Sequence, residues 1–145
     1  MKKIALINGP NLNKLGERQP SIYGYTKLVE IEKRLTEKCE KNSIILTCKQ
    51  SNHEGEIIDF IQTVAEDHAA AIINPGSLMM NGFGLLDAIL GSDLTFIEVH
   101  ISNIYAREEF RHKSILAHAC QGQISGLGVD GYDVALEYLI KHLKS

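Results

Sequence analysis

The sequence contains no tryptophan, three prolines and three cysteines, and only four of its 15 cationic residues are arginine. Each scarcity excludes something. Cys39, Cys48 and Cys120 are odd in number and lack metal-ligand spacing, so neither a disulfide scaffold nor a zinc site is expected; they read as reduced, structural thiols. The longest unbroken apolar run is five residues, 69–73, against the roughly 20 that span a bilayer, so no membrane partner is expected. Fifteen basic residues against 18 acidic ones, a net charge of -3, leave no basic surplus for nucleic acid. Met1-Lys2-Lys3 runs straight into a strand-like segment without a small-residue cleavage site, which argues against a signal peptide and for a cytoplasmic protein. With 145 residues, the chain is expected to form one domain, 1–145, rather than separate cofactor and substrate domains. A hydrophobic share of 44% against 23% charged is enough for a real core.

What is present alternates between strand and helix. Residues 3–8 are apolar and β-rich, stopped by Gly9-Pro10. Thr26 can cap a helix whose apolar stripe is Leu28, Ile31, Leu35 and Cys39. A second strand is expected at 43–49. Ser51-Asn52-His53-Glu54 has capping-box spacing and opens a helix presenting Ile57, Ile58, Ile61, Val64 and Ala65. Further strands are expected at 69–74, 94–100 and, weakened by glycine, 122–128, with a short helix at 83–90. Tyr132, Ala135, Leu136, Leu139, Ile140 and Leu143 make the clearest helical stripe. This alternation predicts an α/β fold: a flavodoxin-like, doubly wound, five-stranded parallel sheet of order 2-1-3-4-5 with helices on both faces.

In such a sheet ligands bind beyond the carboxyl ends of the strands. The loops after strands 1, 3 and 4 are Asn8-Gly9-Pro10-Asn11, Asn74-Pro75-Gly76 and the stretch through His100-Ile101-Ser102, and they are expected to converge on one cleft. Glu98 and His100, two apart on a strand, point to the same face. A carboxylate beside an imidazole fixes its tautomer and favours its charged form, which suits a general acid; an accidental acidic neighbour at a strand end would look the same. The 12–25 connection is long for this fold and carries Arg18, Pro20, Tyr23 and Gly24. A guanidinium beside Tyr23 would favour the phenolate, although packing alone would also account for the pair. Arg18, Arg107 and Arg111 fall at this edge and only Arg34 lies on a helix, which points to a small, polar, anionic substrate. The charge-dense run around Arg107 and Arg111 is equally what a solvated turn would show. Neither Gly9-Pro10-Asn11 nor Gly126-Leu127-Gly128 completes a phosphate or dinucleotide loop, which weakens a flavin-binding alternative. His53, His68, His112, His118 and His142 show no metal pattern and read as surface or cap residues.

Four long blocks carry a resemblance. They are 8–24, with Asn8-Gly9-Pro10-Asn11-Leu12-Asn13 and Arg18-Gln19-Pro20-Ser21-Ile22-Tyr23-Gly24; 50–59, with Gln50-Ser51-Asn52-His53-Glu54; Ile73-Asn74-Pro75-Gly76; and 97–111, from Ile97-Glu98-Val99-His100 through Arg107-Glu108-Glu109-Phe110-Arg111. Together they resemble type II 3-dehydroquinate dehydratase over essentially the whole chain. The resemblance implies reversible anti elimination of water from 3-dehydroquinate through an enolate, giving 3-dehydroshikimate in the shikimate route to chorismate and aromatic amino acids. It implies no metal, no organic cofactor and no Schiff base, and a trimer-based homododecamer. By the same resemblance Tyr23 is the base and Arg18 eases its deprotonation. His100 protonates the departing hydroxyl, with Glu98 orienting it. Asn11 holds a water near the enolate oxygen. Asn74, Ile101, Ser102 and Arg111 bind substrate, Arg107 serves loop closure, and Asp87 reaches a neighbouring subunit's site.

One block departs from the family. After Asn-Pro-Gly the family continues with Thr-His-Thr-Ser, whereas this chain has Met79-Met80-Asn81-Gly82. Met80 stands where the family has a substrate-contacting His, and a thioether donates no hydrogen bond. Adjacent Asn81 is a candidate to compensate. The alternative reading is therefore a weakened homologue that binds a shikimate-like ligand, while Tyr23, Arg18 and His100 favour an active enzyme.

Overall fold

The computed structural model describes residues 1–143. Five parallel strands, β1 (Lys2–Asn8), β2 (Ile44–Gln50), β3 (Ala70–Asn74), β4 (Thr95–His100) and β5 (Gly122–Ser125), form one sheet in the order β2-β1-β3-β4-β5. This is the expected order. Helices α2 (Leu28–Lys41) and α6 (Asp130–His142) cover one face, and α3 (Glu54–Val64) and α5 (Phe83–Gly91) the other. Alternate strand residues divide between the two cores. Ile4, Leu6, Ile72 and Val99 pack with Ile31, Leu35, Leu136 and Leu139, while Ala5, Ile7, Ile73 and Phe96 pack with Ile57, Ile61, Leu85 and Ile89. Burial on both faces is why the strands read as continuous apolar runs rather than as alternation. No helix among the described residues is long and apolar enough to cross a membrane.

Several local expectations are corrected. The N-cap of α2 is Lys27, not Thr26: its backbone N–H donates to Glu30 Oε2 at 3.0 Å. Ser51 does not form a capping box with Glu54. Its hydroxyl donates to Glu56 and accepts from the His53 N–H, while Glu54 crosses to accept the N–H of Leu85 at 3.0 Å, satisfying a donor in the first turn of α5. A short helix α4 (Leu78–Asn81), preceding α5, was not expected. Strand β5 stops at Ser125 instead of reaching 128: the Gly126 N–H still donates to His100 O at 3.2 Å, but its φ of +91° turns the chain out of the strand. His68 is no loose surface group: its ring nitrogens lie 2.7 Å from Asp67 Oδ1 and 2.8 Å from Thr47 Oγ1.

The register places the site. Asn8 lies between Gln50 and Asn74, and Glu98 beside Gln123, so the strands end in a row of polar groups. The loops after β1 and β3 then interlock. Gly9 N–H donates to Asn74 O at 2.8 Å, and a Cβ on Gly9 would lie 2.5 Å from Pro75 O. Only glycine permits that approach of two backbones.

Candidate active site

The loops after β1, β3 and β4 do converge. Asn11, Arg18, Tyr23, Asn74, His100, Ile101, Ser102, Arg107 and Arg111 all line one cleft at the carboxyl edge of the sheet. Of the candidates, Glu98 and Asp87 do not line it.

The 12–25 connection is not structureless. A 3-10 turn (Leu12–Lys14) and the buried side chains of Leu12 and Leu15 pin its first half to the core. Its second half is a single helical turn, α1 (Pro20–Tyr23), with Pro20 at the first helical position, where its fixed φ and missing N–H are no handicap. Gly24, at φ +81°, ends the turn. Tyr23 is thereby held half-buried at the cleft. Its hydroxyl accepts a hydrogen bond from Arg107 Nη1 at 2.7 Å, and the same nitrogen reaches Ser102 Oγ at 3.3 Å. Arg18 stacks instead: its Cζ lies 5.0 Å from the ring centroid, and that of Arg107 lies 5.4 Å away. Thus two guanidinium groups flank the phenol, but the one bonded to the oxygen is Arg107 rather than Arg18. The phenol thus has one cation bonded to its oxygen and a second over its ring.

On β4, His100 Nε2 lies 2.5 Å from Glu98 Oε2. Glu98 is fully buried, and a buried carboxylate is costly unless its oxygens are satisfied. They are. Ser114 Oγ donates to Oε1 at 3.0 Å and Gln123 Nε2 donates to Oε2 at 3.1 Å. Ser114 is itself held by the Leu116 N–H. The imidazole is oriented from behind, with its cleft-facing side available to a ligand.

The remaining candidates sort by position. Asn11 has φ +71°, and its backbone N–H donates to Asn52 Oδ1 at 2.9 Å; Gln50 Nε2 also donates to that oxygen. Arg111 donates to Glu108 Oε2 at 2.9 Å, which draws the Glu108 carboxyl below its ordinary value; its other guanidinium hydrogens remain for an anion. Among the described residues that line the cleft there is no Asp or Glu, so three arginines make it cationic despite the chain's net negative charge. Asp87 lies exposed on α5, beside Gln62 and Ala65. Met80 lines the cleft with Met79, but Asn81 is exposed and does not, so Asn81 does not replace the missing polar contact.

Residues 2–140 match the sequence model of the family described as dehydroquinase class II. The chain belongs to that family. Among dehydroquinase relatives, the 3-dehydroquinate dehydratase of Bacillus pumilus is 46% identical over 97% of this chain and 95% of its own. The catabolic 3-dehydroquinase of Phaeosphaeria nodorum is 49% identical over 99% and 94%. The crystal structure of the type II dehydroquinase of Propionibacterium acnes superposes with a TM-score of 0.93 at 38% identity, covering 97% of each chain.

Sequence reading missed Ser114 and Gln123. A lone Ser in a loop carries no signal, and Gln123 becomes visible only once the β4–β5 register is known. For Arg107 the sequence suggests substrate binding and loop closure but not its partner: its bond to Tyr23 ties the lid to the strand-4 loop. Removing that bond with Arg107→Ala is expected to loosen the lid. A lost charged hydrogen bond of about 1.5 kcal/mol would raise the open population roughly tenfold. Tryptic cleavage after Arg18 should quicken by that order in limited proteolysis; an unchanged rate would show that the lid is held elsewhere.

Proposed function

We propose that this chain is a 3-dehydroquinate dehydratase, a hydro-lyase that reversibly removes water from 3-dehydroquinate to give 3-dehydroshikimate in the shikimate pathway. The observation that carries the reading is the pairing, in one cleft, of a guanidinium-clamped tyrosine with a histidine braced by a buried glutamate. A proton α to a ketone needs a basic oxygen, a stabilised enolate and an acid for the leaving group. Tyr23 as phenolate takes the α-proton, and its electron pair moves onto the ketone oxygen as an enolate. The cationic cleft, with Arg18 and Arg107, stabilises that charge, and Asn11 holds a water against it. The enolate then collapses, the C–O bond breaks, and His100 gives its proton to the departing hydroxyl. Tyr23 gains one proton and His100 loses one, so the net product is one water and a conjugated enone. Base and acid acting from opposite sides give an anti elimination.

Asn74, Ile101 and Ser102 would meet the substrate hydroxyls and carbonyl oxygens, and Arg111 its carboxylate. The reading takes residues 1–145 as one such domain acting in the cytoplasm. It also takes the chain as part of a homo-oligomer, a trimer-based dodecamer, in which Asp87 serves a neighbour's cleft. The position of Asp87, exposed and outside its own chain's cleft, supports that assignment.

Three measurements test this function. Purified protein mixed with 3-dehydroquinate should generate the ultraviolet absorbance of the enone. Tyr23→Phe should lose nearly all of that turnover, at least a hundredfold if the base is gone, while keeping its circular dichroism. Near-normal activity would remove Tyr23 from the role of base. Met80→His restores a donor to the cleft and should lower KM, by about fivefold for a gained bond of roughly 1 kcal/mol. An unchanged KM would show that the contact is dispensable here.

A further inference from the structure

On the α6 side of the sheet, directly behind the cleft, three buried side chains form a chain of hydrogen bonds. Tyr132 of α6 is fully buried. Its hydroxyl donates to Asn8 Oδ1 at 2.6 Å and accepts from Asn74 Nδ2 at 2.9 Å. Asn74 Oδ1 in turn accepts from the backbone N–H of Gly76 at 3.2 Å. Asn8 and Asn74 are register partners at the ends of β1 and β3, pointing to the same face.

The two ends of a carboxamide have the same shape, so only donor and acceptor polarity decides which way it faces. Here one backbone group sets the whole chain. The Gly76 N–H can only donate, so it selects Asn74 Oδ1. Asn74 Nδ2 must then face Tyr132, whose oxygen accepts. The single phenolic hydrogen is left for Asn8 Oδ1. Burial pushes the Tyr132 phenol well above its ordinary value, so that hydrogen stays in place at working pH. Asn8 Nδ2 is left over, the one buried side-chain polar atom without a partner among the described residues. Orphaned donors are uncommon in folded proteins because they sacrifice solvation without replacing it. Such local violations cluster where function requires them.

We propose that Tyr132 is a positioning residue for the dehydration, locking the Asn74 carboxamide so that its second Nδ2 hydrogen is presented to the cleft as a donor of fixed direction. This rests on the reading of Asn74 as a substrate contact. The Gly76 N–H fixes which end of the carboxamide is which but holds it by the oxygen alone; without the tyrosine oxygen the Nδ2 end loses its second anchor and swings about that contact, which weakens binding and leaves proton transfer at Tyr23 and His100 alone.

The test is a double-mutant cycle in steady-state turnover of 3-dehydroquinate. Tyr132→Phe should raise KM roughly 3- to 10-fold, the scale of one lost hydrogen bond, with kcat within about twofold of wild type. In an Asn74→Ala background the same change should leave KM where Asn74→Ala alone puts it, because nothing remains to be oriented. Asn8→Leu, which removes the acceptor of the phenolic hydrogen, should raise KM in the same direction and likewise lose its effect in that background. It decides the question if Tyr132→Phe does not fold. An unchanged KM in Tyr132→Phe, a loss confined to kcat, or effects that multiply independently of Asn74 would overturn the proposal. If Asn74→Ala itself leaves KM unaltered, the reading of Asn74 as a substrate contact falls, and the proposal falls with it.

Discussion

The hydrogen bond from Arg107 to the Tyr23 hydroxyl, 2.7 Å long, joins parts of the chain that share no secondary structure. One end is the lid that follows β1; the other is the loop that follows β4. Without it the cleft would have a floor but no roof. The floor consists of strand ends whose register is fixed by a core buried on both faces. The roof is a short helical turn whose position depends on two pinned leucines and on whatever holds its tip. A single nitrogen does two things at once: it places the Tyr23 hydroxyl at the cleft and reaches Ser102, so the lid and the strand-4 loop are held by one group.

The opposite wall follows the contrary physical logic. Tyr23 is flanked by guanidinium groups at a half-exposed site, whereas Glu98 is a fully buried carboxyl group made tolerable by Ser114, Gln123 and His100. Such a carboxylate cannot easily move, because every displacement leaves a buried oxygen unsatisfied. Under the proposed roles, the acid side is therefore held at every oxygen while the base side rests on one helical turn and the bond to Arg107. That division suits a reaction in which the substrate must enter before the base is brought over it.

The chain's alternation of apolar runs and helical stripes made the sheet order legible, and the polar residues ending each run marked the catalytic edge. Less legible was everything that depends on partners distant in sequence. Ser51 and Glu54 have the spacing of a capping box, yet Glu54 caps a different helix, 31 residues away. Gln123 is an unremarkable polar residue until β5 lies beside β4. Tyr132 reads as one more apolar member of a helical stripe, because periodicity reports which face is buried and says nothing about where a hydroxyl finds its partners. Arg107 sits in a run of alternating charge that resembles any solvated turn. Only the fold reveals that it points inward while Glu108 and Arg111 pair beside it.

In the proposed dehydration, Tyr23 on the lid and His100 on β4 act on opposite faces of one small substrate. The most direct test is 3-dehydroquinate carrying deuterium at one of the two diastereotopic positions α to the ketone, with the label followed into product by mass spectrometry. The hydrogen anti to the departing hydroxyl is expected to be lost and the other retained. Retention of the anti label, or equal loss from both positions, would contradict these roles.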